Sequence, residues 1–243
     1  MTESRKKKNT ALLVAAGAGK RMGTDTHKQF LELQGRPILA HTLQVFQNSA
    51  CIDAIVVVTG KEDIPYVRED IVRRYGFSKV TAVAAGGAER YESVYQGLLH
   101  CEDADYVFIQ DAVRPFVTEE ILQRGWETVQ RYGSAICGMP AKDTIKITDP
   151  EGKVLDTPPR DRLWIVQTPQ IFSYSLIRKA YDRLFSAENR ETDGEGKPAG
   201  RKSITDDAMV AESMGAEVHM FTGSYRNIKI TTPEDLLMAE ALL

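Results

Sequence analysis

The chain has 243 residues, of which 42% are hydrophobic and 27% charged, as in globular proteins with one or two buried cores. Its net charge of −3 implies no general attraction to nucleic acid or to a membrane, so any anion must be bound by a local cluster of cations. Cys51, Cys101 and Cys137 lie far apart and the four histidines are scattered, which argues against a zinc site and favours free thiols in a reducing, cytoplasmic compartment.

The chain opens with a short basic stretch, and we predict a disordered tail over residues 1–9 ahead of a single domain over residues 10–243. The apolar run 10–15 follows directly and predicts a first buried strand. It passes into glycines and basic residues after only a few positions, whereas a membrane span needs ~18 apolar residues. The sequence therefore predicts neither a signal peptide nor a membrane anchor.

A glycine-rich turn follows this strand and contains Gly17, Gly19 and Arg21, with Lys28 a few residues further on. Successive N–H groups in such a turn can surround phosphate oxygens, and the basic side chains add positive charge. Met22 occupies the place where the dinucleotide fingerprint needs its third glycine, and the lysine of a P-loop is missing. The glycines alone would suit an ordinary turn equally well, but the basic residues favour a nucleoside triphosphate site.

Strands and helices alternate over the first 140 residues. Continuous β-branched runs predict strands, and apolar residues at helical spacing predict helices. The predicted strands cover 10–15, 52–59, 79–84, 106–110 and 134–139, and the predicted helices cover 37–48, 62–75, 89–99 and 119–131. This alternation predicts an α/β fold with a doubly wound, mostly parallel, Rossmann-like sheet. Ligands bind beyond the carboxyl ends of such strands, where the glycine turn, Gly86-Gly87 and Asp111 all fall.

The alternation breaks after residue 140. Residues 144–148 and 153–156 alternate at period two around a turn, which predicts a protruding β-hairpin arm over about 142–163. A strand at 164–167 and a helix at 173–185 follow. Residues 186–203 have almost no apolar side chains and predict a mobile surface insert. A capped helix at 205–214, strands at 217–222 and 227–230, and a helix that begins after Thr232 complete the prediction.

Seven sequence blocks, taken in order, point to one family. They are residues 15–22, 28–30, 86–90, 111–115, 142–144, 168–170 and 227–229. Together they resemble the 2-C-methyl-D-erythritol 4-phosphate cytidylyltransferases, from about Thr10 to the C-terminus. The resemblance implies a nucleotidyltransferase of the non-mevalonate isoprenoid pathway that transfers the cytidylyl group of CTP to methylerythritol phosphate and releases pyrophosphate. It also implies Mg²⁺ and a homodimer whose subunits meet through the arm.

The resemblance further implies residue roles, position by position. Arg21 and Lys28 would hold the triphosphate and the transition state. Asp111 would lie by the ribose and bind the metal. Apart from the resemblance, Asp206 and Asp207 are most simply the cap and first turn of a helix, with Asp206 a minor candidate for the metal. The cytosine pocket and its glycine turn would be formed by Ala15, Ala16, Gly17, Gly19, Gly87 and Ser93. The acceptor would be surrounded by Arg114, Thr144, Arg160, Thr168, Thr205 and Lys229, of which Arg160 and Lys229 would be catalytic.

One departure from the family pattern concerns the base. Many members carry an acid after the double glycine, where this chain has Ala88. Backbone groups would therefore have to read the cytosine.

The residue types suit the chemistry of this reaction. The nucleophile is a phosphate oxygen that is already anionic, so it needs relief from charge repulsion rather than a general base. A hydrolase would instead call for an activated nucleophile or base.

Several alternatives stay open at this point. Ribitol 5-phosphate is a second acceptor that the same blocks would suit. A nucleotide sensor without catalysis is disfavoured because Arg21, Lys28 and Asp111 are all present. An NAD-dependent oxidoreductase is disfavoured by Met22. Each polar residue also has an ordinary explanation: Asp111 and Arg114 as strand-end and loop residues, Arg160 and Lys229 as surface charges, and the threonines as turn or strand residues.

Overall fold

The computed structural model describes residues 7–17, 26–186 and 204–243. The strands within these ranges are β1 (Asn9–Ala15), β2 (Glu32–Leu33), β3 (Arg36–Pro37), β4 (Ala54–Thr59), β5 (Val80–Ala85), β6 (Tyr106–Asp111), β7 (Ser134–Pro140), β8 (Ile147–Thr148), β9 (Val154–Asp156), β10 (Trp164–Ser173) and β11 (Met220–Thr222). The helices are α1 (Ile38–Asn48), α2 (Ile64–Tyr66), α3 (Arg90–Leu98), α4 (Glu119–Tyr132), α5 (Tyr174–Phe185), α6 (Asp207–Glu212) and α7 (Pro233–Leu242).

A seven-stranded sheet forms the centre of the described chain, in the order β11-β7-β10-β6-β1-β4-β5. Neighbouring strands are parallel except at β10, which runs antiparallel to both β6 and β7. The prediction of a mostly parallel α/β sheet is confirmed. Because successive side chains of a strand point to opposite faces, Leu12 and Leu13 enter two different hydrophobic clusters, one on each face of the sheet. Helices cover both faces, which is why the central strands are apolar throughout.

The parallel strands end at one edge of the sheet, and this places the predicted turns together. The carboxyl ends of β1, β5 and β6 carry Ala15, the Gly86-Gly87 turn and Asp111. A Cβ on Gly86 would lie 2.5 Å from the Cβ of Ala16, so only glycine lets these two turns approach so closely. The edge is therefore shaped by the strand order and by one close contact between turns.

Some predicted elements differ from the structure. Residues 227–230 are not a strand, because Asn227 makes side-chain hydrogen bonds to Gln167 and Thr168 while Ile230 makes a single backbone bond to Val113. The strand predicted at 164–167 extends to Ser173, and the one at 217–222 is reduced to β11. The predicted helix 62–75 is a 3₁₀ turn at Lys61–Asp63, then α2, then a π-helix. The small β2–β3 hairpin was not predicted.

The tail prediction also needs a correction at its end. Asn9 is part of β1, and its N–H donates to Asp53 (2.9 Å), while the N–H of Lys8 donates to Asp105 (2.7 Å). Polar side chains at the amino edge of the sheet therefore hold Lys8 and Asn9. Residues 1–6 of the predicted tail and residues 187–203 of the predicted insert lie outside the described residues.

The region of the predicted arm contains a separate two-stranded antiparallel sheet, β8–β9. Its apolar side chains Ile147, Val154 and Leu155 are about half exposed or more, at 48%, 52% and 62%. In the part of the chain that the structure describes, no helix has the length and hydropathy needed to cross a membrane.

Candidate active site

A cavity of about 390 Å³ lies beyond the carboxyl ends of β1, β5 and β6. Its wall includes eight of the predicted site residues: Ala15, Ala16, Gly17, Lys28, Gly87, Ser93, Asp111 and Lys229. The same wall also includes Gln29, Ala88, Glu89 and Arg90. Gly19 and Arg21, which the sequence places at the same turn, lie outside the described residues.

The Gly86–Glu89 turn on one side of this cavity is fixed by side chains of α3. The Ser93 hydroxyl accepts a hydrogen bond from the N–H of Gly87 (3.1 Å). The Glu92 carboxylate accepts from the N–H groups of Ala88 (2.8 Å) and Glu89 (3.2 Å) as part of a capping box. These three N–H groups are thus used inside the turn. The Ser93 hydroxyl also lies within hydrogen-bond distance of the carbonyl oxygens of Gly87 (3.5 Å) and Glu89 (3.1 Å). The turn therefore offers a ligand the carbonyl oxygen of Ala88 and the second lone pair of the other two carbonyls.

An ionic cluster around Asp111 forms the floor of the cavity. Asp111 is only 6% exposed. Its carboxylate accepts from Arg90 Nε (3.0 Å) and from Lys229 Nζ (2.8 Å), and Arg114 Nε lies 3.8 Å away. Burial alone would raise the pKa of Asp111, but the three cations hold it well below its ordinary value. Asp111 is therefore ionised at neutral pH in the folded protein.

Arg90 is held between two carboxylates. Its guanidinium makes two parallel hydrogen bonds to the fully buried Asp207 (3.0 and 2.9 Å), in addition to its bond to Asp111. Tyr181 donates to the same Asp207 (2.7 Å). Burial lowers the pKa of Arg90, but the two carboxylates outweigh it and raise the pKa well above its ordinary value. Such bidentate pairing fixes the orientation of Arg90 as well as its charge.

Sequence reasoning missed these roles of Arg90 and Asp207. Arg90 was part of a family block, but it received no role, and Asp207 was interpreted only as a first-turn acid of a helix. Their contact spans 117 positions of sequence, and no local pattern signals it. Asp206 caps α6 through the N–H of Met209 (3.0 Å) and accepts from Gln170 (2.9 Å), as its interpretation as a helix cap predicts.

A second cavity, of about 210 Å³, shares Arg90, Asp111 and Lys229 with the first. The other predicted residues in its wall are Arg114, Thr168, Thr205 and Asp206. The ionic cluster therefore separates two adjoining spaces, one reached from the glycine turn and one from β10.

Hydrogen bonds tie the second cavity to the first. The Thr168 hydroxyl accepts from the backbone N–H of Asp111 (3.0 Å), and the Thr168 carbonyl accepts from Asn227 (2.9 Å). Arg114 donates to the carbonyl of Asn227 (2.7 Å), and its pKa is lowered by burial, an effect that Asp111 partly offsets. These bonds fix the segment that carries Lys229, although the segment is not a strand.

Two predicted residues line neither cavity of the single subunit. Thr144 is exposed near β8. Arg160 lies in a 3₁₀ turn before β10, where its guanidinium donates to the carbonyl of Lys142 (2.9 Å) and remains exposed. The subunit alone therefore does not bring these two residues to the ionic cluster.

The sheet order, the cavity at its carboxyl edge and the cations around one carboxylate define an α/β protein of the nucleotidyltransferase class. A solved 4-diphosphocytidyl-2C-methyl-D-erythritol synthase from Anaerococcus prevotii is similar in fold, with a TM-score of 0.81 and 31% identity over 97% of this chain and 96% of that one. The chain belongs to the 2-C-methyl-D-erythritol 4-phosphate cytidylyltransferase family, whose model matches residues 10–243. The family resemblance predicted from the sequence is confirmed.

Similar proteins extend over nearly the whole chain. The 2-C-methyl-D-erythritol 4-phosphate cytidylyltransferase of Geobacter metallireducens is 47% identical over 96% of this chain and 96% of its own length. The 2-C-methyl-D-erythritol 4-phosphate cytidylyltransferase of Geotalea uraniireducens is 48% identical over 96% of this chain and 96% of its own length. The match therefore includes both cavities and the arm.

Proposed function

We propose that this chain transfers the cytidylyl group of CTP to 2-C-methyl-D-erythritol 4-phosphate, with release of pyrophosphate, in isoprenoid biosynthesis. Membership of the family supports the reaction. The observation that supports the assignment of residues is the ionic cluster shared by two cavities. The larger cavity would hold CTP beside the glycine turn, and the smaller one would hold the acceptor beside Arg114, Thr168 and Thr205.

The reaction joins two anions, and the residues present suit that problem. An oxygen of the acceptor phosphate attacks the α-phosphorus of CTP, a new P–O bond forms, and the bond to the bridging oxygen of the β-phosphate breaks. The attacking oxygen carries no proton to be removed. Lys28 would stabilise the charge on the triphosphate, and Arg114 and Lys229 would stabilise the charge on the acceptor. Preorganised cations of this kind lower the barrier because they need not reorient as charge moves.

Asp111 fits a magnesium ion that arrives with the nucleotide. In the described chain no group of three or more His, Cys, Asp or Glu side chains is placed to hold a metal. Mg²⁺ commonly takes only one or two carboxylates and completes its shell with phosphate oxygens and water. Asp111 would be that carboxylate, with Asp206 across the smaller cavity as the weaker candidate. When bound, Mg²⁺ would neutralise charge on the phosphates.

The base would be read by the carbonyl oxygens of the Gly86–Glu89 turn. Glu92 and Ser93 already engage the N–H groups of Gly87, Ala88 and Glu89. A carbonyl oxygen accepts from the exocyclic amino group of cytosine, which uracil lacks. This would give preference for CTP over UTP without an acidic side chain at position 88.

The active form would be a homodimer joined through the arm, and the compartment would be the cytoplasm. The two-stranded sheet β8–β9 exposes Ile147, Val154 and Leu155, and an isolated two-stranded hairpin is marginal in water. A second copy packed on the arm would cover these side chains and could bring Thr144 and Arg160 to the partner's acceptor cavity. The three free, buried cysteines suit a reducing compartment.

Pyrophosphate release tests the reaction and the acceptor together. Purified protein is given CTP and Mg²⁺ with methylerythritol phosphate, with ribitol 5-phosphate, or with neither. We expect release with methylerythritol phosphate at a rate at least about 10²-fold above that with ribitol phosphate. Faster release with ribitol phosphate would reassign the acceptor. No release with either, in protein that binds CTP, would leave a nucleotide sensor.

A further inference from the structure

Lys28 lies on a 3₁₀ turn, Lys28–Phe30, whose neighbouring residues anchor it to two parts of the fold. Gln29 is buried and donates to the carbonyl of Ala15 at the end of β1 (2.6 Å). Phe30 packs edge-on against Tyr66 of α2, with ring centroids 5.1 Å apart. These contacts hold the turn from its carboxyl side.

A third contact holds the turn from its amino side. His27 Nδ1 lies 2.9 Å from Oδ2 of Asp63, a residue of the 3₁₀ turn that follows β4. Neither residue lines the two cavities, so neither would touch a substrate bound there. The pair therefore connects the residue directly before Lys28 to the turn that follows β4.

Gly60 provides the space for this contact. Its backbone has φ −57° and ψ 144°, a conformation that any residue adopts, so the backbone does not require glycine. A Cβ at Gly60 would instead lie 2.7 Å from Oδ2 of Asp63, the same oxygen that meets His27. The absence of a side chain at position 60 thus leaves room for the carboxylate in the position where it reaches His27.

We infer that His27 and Asp63, with Gly60 beneath them, are positioning residues that fix Lys28 against the triphosphate. This inference rests on the role proposed above for Lys28. A lysine has a flexible four-carbon chain, so the placement of its ammonium depends on how firmly its backbone is held. Because small displacements of a catalytic group cost much of its rate effect, loss of the pair lowers kcat while the fold remains intact.

The first test removes and then restores the hydrogen bond. His27→Ala lowers kcat about tenfold, with KM for CTP changed less than about twofold, because the loss falls on the transition state. His27→Asn, whose amide nitrogen lies close to the position of Nδ1, recovers at least half of the wild-type kcat. His100→Ala, at an exposed histidine outside both cavities, leaves kcat unchanged and is the matched control.

The second test uses Gly60. Gly60→Ala adds no charge and only displaces the end of the Asp63 side chain, so it lowers kcat as much as Asp63→Ala does. It has no further effect in an Asp63→Ala background, because the displaced carboxylate is already gone. Both variants change the Tm by less than about 2 °C, since a single partly exposed side-chain contact contributes little stability.

The kcat values of these variants and of Lys28→Ala show separately whether the positioning inference or the proposed role of Lys28 is wrong. If Lys28→Ala is severely impaired while His27→Ala and Gly60→Ala keep normal kcat, the positioning inference is wrong and the role of Lys28 stands. If Lys28→Ala itself turns over normally, the role of Lys28 is wrong. Equal losses from Gly60→Ala in both backgrounds would also overturn the inference.

Discussion

The ionic cluster and the arm differ in how many of their side chains find partners within one subunit. At the sheet edge, Asp111 meets three cations and Arg90 meets two carboxylates, all held by buried parts of the fold. In the arm, β8 and β9 pair only with each other, and their apolar side chains face solvent. The first region is preorganised before any ligand arrives, whereas the second leaves apolar side chains uncovered in a single subunit.

This difference divides the proposed catalytic and substrate-binding residues into two sets. Lys28, Asp111, Arg114 and Lys229 are already gathered around the cavities of one chain. Thr144 and Arg160 are attached to the arm and reach a cavity only if a second subunit supplies it. Mutations in the two regions should therefore impair the protein in different ways.

The largest effect is expected at the centre of the cluster. Asp111→Asn keeps the shape of the side chain but leaves Lys229 and Arg114 without their carboxylate partner. We expect turnover to fall by about 10³ or more, and the free energy of unfolding to fall by roughly 3 kcal/mol, the cost of breaking a buried pair. Pyrophosphate release and urea unfolding measure the two effects. An Asn variant with wild-type turnover would contradict the proposed site.

The same carboxylate predicts a pH dependence of stability. Its pKa in the folded protein is held below its ordinary value near 4, so its contribution is complete above that value and is lost as the pH falls below it. Urea unfolding between pH 7 and pH 3 should show wild type losing stability in acid more steeply than Asp111→Asn. Parallel pH profiles for the two proteins would show that Asp111 is not the anion assumed here.

The next effect tests whether the two regions belong to different subunits at each site. Lys28→Ala and Arg160→Ala should each lower turnover by roughly 10²–10³. If Arg160 serves the partner's site, co-refolding the two inactive variants gives mixed dimers in which one site has both residues. Random assortment then restores about a quarter of wild-type activity. Mixed dimers that form but stay inactive would show that Arg160 does not act across the interface.

Arg21→Ala is expected to match Lys28→Ala in turnover. Because Arg21 lies outside the described residues, that expectation rests on the family resemblance alone.

The sequence predicted the sheet better than it predicted the cluster, and the reason is the range of the interactions. β1, β4 and β6 are buried on both faces, so their unbroken apolar runs identify them locally. The segment that carries Lys229 was predicted to be a strand, and it is not one. Its polar groups bond instead to Arg114 and Thr168, more than 50 residues away along the chain.

The roles of residues could likewise be predicted where the signal is local and not where it depends on long-range contacts. Lys28 and Asp111 could be located because each follows a recognisable strand or turn. Arg90 could not, because its partner Asp207 is brought to it only by the packing of α3 against α5 and of α5 against α6. His27 offered no signal at all, since only the structure shows that Asp63 lies beside it.

A smaller effect is expected at Tyr181, which does not contact Asp111 but donates to Asp207, the second carboxylate partner of Arg90. Tyr181→Phe removes a hydroxyl that donates to the buried Asp207, while the two bonds from Arg90 remain. We expect a loss of about 1–2 kcal/mol in the free energy of unfolding and a severalfold fall in kcat, because Asp207 still holds Arg90 but less firmly. Urea unfolding and steady-state kinetics are the measurements. Tyr95→Phe is a control that should change neither by much, because Tyr95 is a partly buried tyrosine on α3 whose hydroxyl makes only a surface hydrogen bond, to Asp182.

The smallest effect on the subunit itself is expected in the arm. Leu155 is 62% exposed, so Leu155→Ser should change the free energy of unfolding of a subunit by no more than about 0.5 kcal/mol. The same side chain would be buried between subunits if the arm forms the dimer interface, and its loss should raise the dimer dissociation constant about tenfold. Sedimentation over a range of concentrations measures that constant.

A matched leucine shows whether this effect belongs to the arm. Leu237 on α7 is 67% exposed, and Leu237→Ser should leave the dimer unchanged. If the arm also supplies Arg160 to the partner, Leu155→Ser should lose activity on dilution and regain it on concentration, because each active site then exists only in the dimer. A variant that dissociates yet keeps its activity at high dilution would separate the two properties and place the whole active site within one subunit.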